Sequence, residues 1–362
     1  MTEERALPPS LSLYLDAVRF TAALVVFISH FGTRLISGGL LYQFDWFSPA
    51  AVDVFFVLSG FIIASAVATR EHQPLDYATR RAARIISVMI PAMVLSAVLD
   101  NLGGVINPDF YLKVPSFEPA SQLTGYLASM LFLNQAWFFA FQPGSNGPYW
   151  SIGFEVWYYV FFGFAAFARG KWAWAGMAGV MLLGGPKLLL LLPVWFAGVL
   201  AWRCCRGPAP PQWLAWGLAL LPFVCLVLWR GWIVRSWEPY RVYGWEGPAN
   251  PGVYNHYLVG LAFAVHFVGV RWVNWPSGIL PAWLVRAIRW LAAGTFGLYL
   301  FHYPLVHFLA AVLPWPPASL LSRVAIGLVA PILILVLANW VERHKVFWRR
   351  VILGALHRVT AR

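Results

Sequence analysis

The stretch LDAVRFTAALVVFISH, residues 15–30, decides what kind of molecule this is. After Arg19, ten residues pass before the next ionisable group, His30. Extended to 13–33, the run is 21 residues long. As an α-helix it measures about 30 Å, the thickness of a bilayer's hydrocarbon core. Working outward, similar apolar runs follow near 48–69, 85–104, 122–141, 149–168, 172–186, 188–202, 212–229, 253–270, 290–312 and 322–341, eleven in all. Of the 362 residues 60% are hydrophobic and only 11% are charged. Soluble domains carry roughly 25% charged residues, so this chain has too few to clothe a soluble surface. Many of its 21 Trp and 27 Phe stand at the ends of the runs, where interfacial belts need them.

Charge between the runs orients them. Arg80, Arg81 and Arg84 mark the loop after the second run as cytoplasmic by the positive-inside rule, and two spans earlier the N-terminus lies on the same side. The tail, with Arg343, Lys345, Arg349, Arg350, Arg358 and Arg362, is cytoplasmic as well. An even number of spans is then required. Dropping 122–141 as a re-entrant or interfacial segment leaves ten and puts Arg169, Lys171, Arg203, Arg206, Arg271, Arg286 and Arg289 inside. Merging 172–202 into one bent span also leaves ten, but puts Arg169 and Lys171 outside. The expected fold is all-α: a polytopic integral membrane bundle of about ten transmembrane helices, spans within about 13–342, both termini cytoplasmic and a basic tail at 343–362. No cleavable signal peptide, soluble appended domain or internal repeat is read. The absence of any Asn-x-Ser/Thr sequon favours a bacterial inner membrane. Cys204, Cys205 and Cys225 lack metal-ligand or disulfide spacing, so no metal is expected. The net charge of +12 is the positive-inside bias of the loops, and no nucleic-acid partner is expected.

Ionisable groups inside spans are costly, and each is a candidate functional residue. Arg19 and His30 are eleven residues apart, three helical turns, so they share one face about 16 Å apart. Arg19 falls near the cytoplasmic end, where it also suits a snorkelling side chain paired with Asp16. His30 falls in the outer half. In FSPAAVDVFFVLSGFIIA (47–64) Asp53 lies at similar depth, while Ser59 and Gly60 suit a kink or close helix packing. In NGPYWSIGFEVWYYVFF (146–162), Ser151 and Glu155 are expected at the level of His30, and Tyr299 and His302 share a face in GTFGLYLFHYPLVH (294–307). Should these spans converge, a neutral histidine can take a proton from a hydroxyl while a carboxylate, Asp53 or Glu155, orients it. That chemistry suits acyl transfer to an alcohol. The basic stretch ATRRAARIISVMIPA (78–92) reads as a topology signal or as a phosphate site made by Arg80, Arg81 and Arg84 with Arg19. Glu342 at the inner end of the last span reads as a solvated helix end or a partner for these arginines. The aromatic-rich outer loop 230–252 reads as an interfacial belt or a sugar-stacking surface.

The segments LDAVRFTAALVVFISH, DVFFVLSGFIIA, RRAARI, YWSIGFEVWYY, GTFGLYLFHYPL and VERH together resemble the membrane acyltransferase-3 family, which includes polysaccharide O-acetyltransferases. They follow the family's order from about residue 13 to 344. The resemblance implies one transmembrane acyltransferase domain over 1–362, with acetyl-CoA as donor co-substrate, membrane lipids around it and a hydroxyl of a glycan or related extracytoplasmic compound as acceptor. It implies that His30 is catalytic, that Arg19, Arg80, Arg81 and Arg84 serve the donor, and that Trp150, Ser151 and Glu155 form a family motif. The chain departs from the family where Val156 follows Glu155 in place of a second acid, and where His344 replaces a proline. A transporter or flippase of an acyl or glycan substrate is the alternative; it suits the membrane-embedded charges but lacks paired interrupted helices in matching halves.

Overall fold

The computed structural model describes residues 7–233, 252–275 and 280–360, and among these every regular element is helical. Proline and glycine punctuate the chain. Helix α1 (Pro9–Phe31) starts on a proline and stops at Gly32. A single turn, α2 (Arg34–Ser37), leads through a short 3₁₀ segment to α3 (Ser48–Thr69), again with proline in its first turn. Pro74 opens α4 (Pro74–Ile106), which the one-turn α5 (Pro108–Tyr111) extends, capped by the Asn107 side chain accepting from Phe110 N–H. Proline at a first turn loses no hydrogen bond and presets the helical φ. After α6 (Gln122–Met130) comes irregular chain, then α7 (Trp150–Phe167), α8 (Lys171–Gly184) and α9 (Pro186–Cys204). Gly185, at φ +84°, makes the corner between the last two. Next come α10 (Gln212–Ile233), α11 (Gly252–Trp272), α12 (Ala282–Ala293), α13 (Thr295–Val312), α14 (Leu320–Val324), α15 (Ala330–Arg343) and α16 (Lys345–Thr360). A π-helical turn joins α14 to α15 and seats Gly327 against the Phe31 ring.

Seven segments among the described residues are long and apolar enough to cross a membrane: Pro9–Phe31, Tyr42–Thr69, Pro74–Ile106, Pro186–Cys204, Val253–Trp272, Thr295–Val312 and Leu320–Leu356. Of the other runs read as spans, α7 carries Glu155, α8 has 14 residues, and the apolar part of α10 is the shorter Gln212–Leu228. Helix α6 has nine residues. At 1.5 Å per residue that is about 13 Å, less than half a hydrocarbon core. The basic stretch 78–92 is not a loop. It forms the first turns of α4, because Pro74 starts the helix early and Asp76 pairs with Arg80 one turn on. The expected outer loop 230–252 lies, over 234–251, outside the described residues.

Contacts fix the helix directions. Helices α3, α9 and α11 run parallel, with Tyr257 against Leu190, Gly260 against Val194, His256 against Asp53 and Phe267 against Phe61. Helices α4 and α13 run parallel to each other, with Asn146 joining Ser96 to Leu300 and Asn107 donating to the Ala311 carbonyl. Helix α13 is antiparallel to α15, where Gly297 meets Ala338 and Gly294 meets Asn339. The closest crossing is α3 on α9. A Cβ on Gly60 would lie 2.1 Å from the Trp195 carbonyl oxygen, and one on Gly198 2.0 Å from that of Val57. Neither position admits any side chain, and small residues let apolar helices approach backbone to backbone.

Candidate active site

Among the cavities of the described residues, two share lining side chains, each partly open to solvent. At the end carrying the helix α1 N-terminus, about 690 Å³ of empty space lies among Arg19, Ser59, Arg81, Arg84, Ser151, Glu155, Tyr159 and Tyr299. Toward the other end, about 590 Å³ lies among His30, Val52, Gln135, Trp150, His256 and Tyr299. Val52 and Tyr299 line both. Tyr299 is fixed as the partition. Its hydroxyl donates to the Pro148 carbonyl at 2.9 Å and therefore accepts from Ser151 Oγ, also at 2.9 Å.

Helix α1 is unbroken from Pro9 to Phe31, so the three-turn separation of Arg19 and His30 holds, and each opens into a different cavity. Arg19 keeps Asp16 at 3.3 Å, and Asp16 is shared with Arg289 of α12. Arg81 and Arg84 share a face of α4, but their environments differ. Arg81 is buried in an ion pair with Glu71 at 2.5 Å. Arg84 faces the cavity and interacts electrostatically with Tyr159, Glu342 and Glu155. Arg80 points elsewhere, bonded to Asp76 at 2.9 Å, which also holds Arg349 of α16. Three of the four arginines assigned to the donor therefore converge and one does not. Glu342 interacts with both Arg19 and Arg84.

His30 is not oriented by a carboxylate. His302, fully buried, has Nδ1 at 2.9 Å from the Leu298 carbonyl oxygen. A carbonyl only accepts, so Nδ1 carries the proton, and in the neutral ring Nε2 is the acceptor. His30 Nδ1 lies 2.8 Å from that Nε2 and must donate to it. The lone pair of neutral His30 is thereby assigned to its Nε2. The two rings are stacked at 5.1 Å, and the Tyr303 ring meets His30 edge-on at 4.9 Å. A side chain whose tautomer is fixed by its neighbour is what a general base requires.

Both expected carboxylate partners of His30 are bonded to other groups. Asp53, 1% exposed, accepts from His256 Nδ1 at 2.7 Å. This imidazole–carboxylate pair belongs to the cavity of His30, because His256 lines it. Glu155 lies in the arginine cavity, where it accepts from Ser59 Oγ at 3.0 Å and from the Tyr159 hydroxyl. The shared depth inferred for Glu155 and His30 does not hold. Glu155 lies five residues into α7 beyond Trp150, and α1 ends one residue after His30 beneath α2 and the 3₁₀ segment. Ser151 lines the arginine cavity, Trp150 the histidine cavity, and Tyr299 divides them.

Sequence reading passed over His256, Gln135, Lys187 and Tyr159. The rule that singled out His30 applies equally to His256, which stands within the run 253–270, whereas Lys187 falls between the runs 172–186 and 188–202. Gln135 lies in the segment set aside as non-spanning, which made its approach to His30 invisible. Among the described residues no group of three or more His, Cys, Asp or Glu could hold a metal ion.

Comparison with known proteins places this geometry in a family. No solved structure matches the chain. An O-acetyl transferase of Shigella phage Sf6 is 28% identical over 158 residues, which is 41% of this chain and 44% of that protein, so the match spans less than half of either. The family model described as an acyltransferase domain (Acyl_transf_3) matches residues 12–348, nearly the whole chain, and the chain belongs to the acyltransferase-3 family.

Proposed function

We propose that this protein is a membrane O-acyltransferase. It moves an acyl group, acetyl by family default, from cytoplasmic acyl-CoA to a hydroxyl of an extracytoplasmic glycan or related acceptor. The observation that carries the reading is the chain Leu298 carbonyl–His302–His30, which assigns the lone pair of neutral His30 to Nε2 on a residue that lines a cavity. Ten membrane crossings with both termini cytoplasmic, in a bacterial inner membrane, form part of the proposal. It is supported by the alternating helix directions and by the clustering of Arg19, Arg81 and Arg84 at one end.

The donor's phosphates sit among Arg19, Arg84 and Arg81, where guanidinium groups pair with phosphate oxygens. Its extended arm runs toward the other cavity past Tyr299 and presents the thioester near His30. The acceptor comes from the opposite side. His30 Nε2 takes the hydroxyl proton as the acceptor oxygen bonds to the carbonyl carbon. The carbonyl electron pair moves to oxygen, then returns as the carbon–sulfur bond breaks. The departing thiolate takes the proton from His30, which ends neutral. His302 stabilises the transient imidazolium by accepting from its Nδ1–H.

The test is reconstitution in proteoliposomes with acetyl-labelled CoA inside and a glycan acceptor outside. The wild type should place label covalently on the acceptor. His30→Ala should lower turnover by roughly 10²–10⁴, the contribution of a general base. Retained turnover in His30→Ala would overturn the base assignment, and unmodified solute crossing without transfer would favour a transporter.

A further inference from the structure

We infer that Gln135 is a catalytic hydrogen-bond donor, held in place by Lys187, and that its amide N–H stabilises the negative charge developing on the acyl carbonyl oxygen. The inference rests on the acyl-transfer reading above. Gln135 is 2% exposed and lines the same cavity as His30. Its Oε1 accepts from Lys187 Nζ at 3.0 Å. An ammonium only donates, so the amide cannot be flipped, and the NH₂ group is the end left over. Among the described residues that Nε2 has no hydrogen-bond partner. Buried amide nitrogens are nearly always satisfied, so an unmatched one beside a cavity points to a ligand oxygen.

Lys187 strengthens the case. It is as buried as Gln135, and among the described residues its partners are both neutral: the Gln135 amide oxygen and the Phe139 carbonyl. A buried ammonium without a counter-charge is expensive to keep. Here its charge polarises the amide of a residue that lines the cavity of His30, and linked hydrogen bonds strengthen one another. The segment between α6 and α7 is also held firmly. Phe132 and Trp137, on either side of Gln135, adopt left-handed φ values of 57° and 51°. Trp157 Nε1 donates to the Phe132 carbonyl at 2.9 Å, and Trp137 N–H donates to that of Gly184 at 2.8 Å. Bulky residues persist in that conformation only where their surroundings impose it.

The chemistry needs such a donor. When the acceptor oxygen bonds to the thioester carbon, the carbonyl electron pair becomes localised on oxygen. His30 has taken a proton and can offer only its far nitrogen to His302. A fixed N–H directed at the new oxyanion stabilises it without rearrangement.

The variant Gln135→Glu separates the alternatives. It has the same shape and keeps the contact with Lys187 as an ion pair, so a residue with a merely structural role would retain activity. A carboxylate accepts and does not donate, so a donor role predicts a kcat lower by about 10²–10³ with the Kd for acyl-CoA unchanged. Gln135→Met removes the donor without adding charge and should lose a similar factor. Lys187→Met should lower kcat and leave the acceptor KM in place, as expected of a positioning residue. Acyl-CoA binding and monodispersity report folding in each variant. Wild-type transfer together with Gln135 variants inside about threefold of it overturns this inference and leaves the acyltransferase reading intact. A wild type that transfers nothing overturns both.

Discussion

The histidine pair lends itself to a quantitative test at His302, a residue that does not meet the substrate. In His302→Leu the His30 Nδ1–H loses its acceptor, and the ring is free to turn or change tautomer. The lost bond becomes charge-assisted once His30 holds the proton, and such bonds contribute about 1.5–3 kcal/mol. At about 1.4 kcal/mol per tenfold, kcat/KM for the acceptor should fall by roughly ten- to a hundredfold. His302→Gln should recover most of this, because its amide oxygen can accept from His30 while its NH₂ donates to the Leu298 carbonyl. Donor affinity should not change in either variant, since the arginine cavity lies on the far side of Tyr299. The assay is steady-state transfer of labelled acetyl with acceptor varied, beside direct titration with acyl-CoA. A well-folded His302→Leu protein with kcat/KM within about threefold of wild type would refute the reasoning.

Two further expectations follow from the geometry. Arg84→Gln should raise the Kd for acyl-CoA by about ten- to a hundredfold, the loss of a charge-assisted phosphate contact, whereas Arg80→Gln should leave it within a factor of about two; equal effects in a binding titration would contradict the separation of these side chains. Gly198→Val should destabilise the detergent-solubilised protein by about 1–3 kcal/mol or more through overpacking against the Val57 carbonyl, and Gly104→Ala, with open space around it, should not; thermal unfolding of the two variants decides this.

The fold was legible where physics acts on single segments. The apolar run around residues 15–30 fixed α1 to within a few residues, and 48–69 matches α3. The stretch 122–141, set aside because loop charges required an even count, contains a helix too short to cross. What failed was depth along a helix axis. The RRAAR stretch was assigned to a loop on charge alone, although Asp76 and Pro74 mark a helix start before it. Side-chain partners were still less readable. His30 and His302 are 272 positions apart, and Asp53 and His256 are 203 apart. Nothing local distinguishes a histidine that will meet a histidine from one that will meet an acid. Lateral packing of helices makes that choice, and one chain read alone carries no record of it.

The shared wall at Tyr299 has a consequence for the membrane itself. A protein that admits a charged donor from one face and a polar acceptor from the other risks becoming a leak. On the proposed topology the cell's ion gradients would drain through any continuous wet path. Here the two cavities share one aromatic side chain as a wall, pinned by Ser151 and the Pro148 carbonyl and packed edge-on by Phe55. On that proposal the ring serves as electrical insulation. Threading a thin, uncharged acyl arm past it costs far less than passing a hydrated ion, so chemistry can cross where current does not.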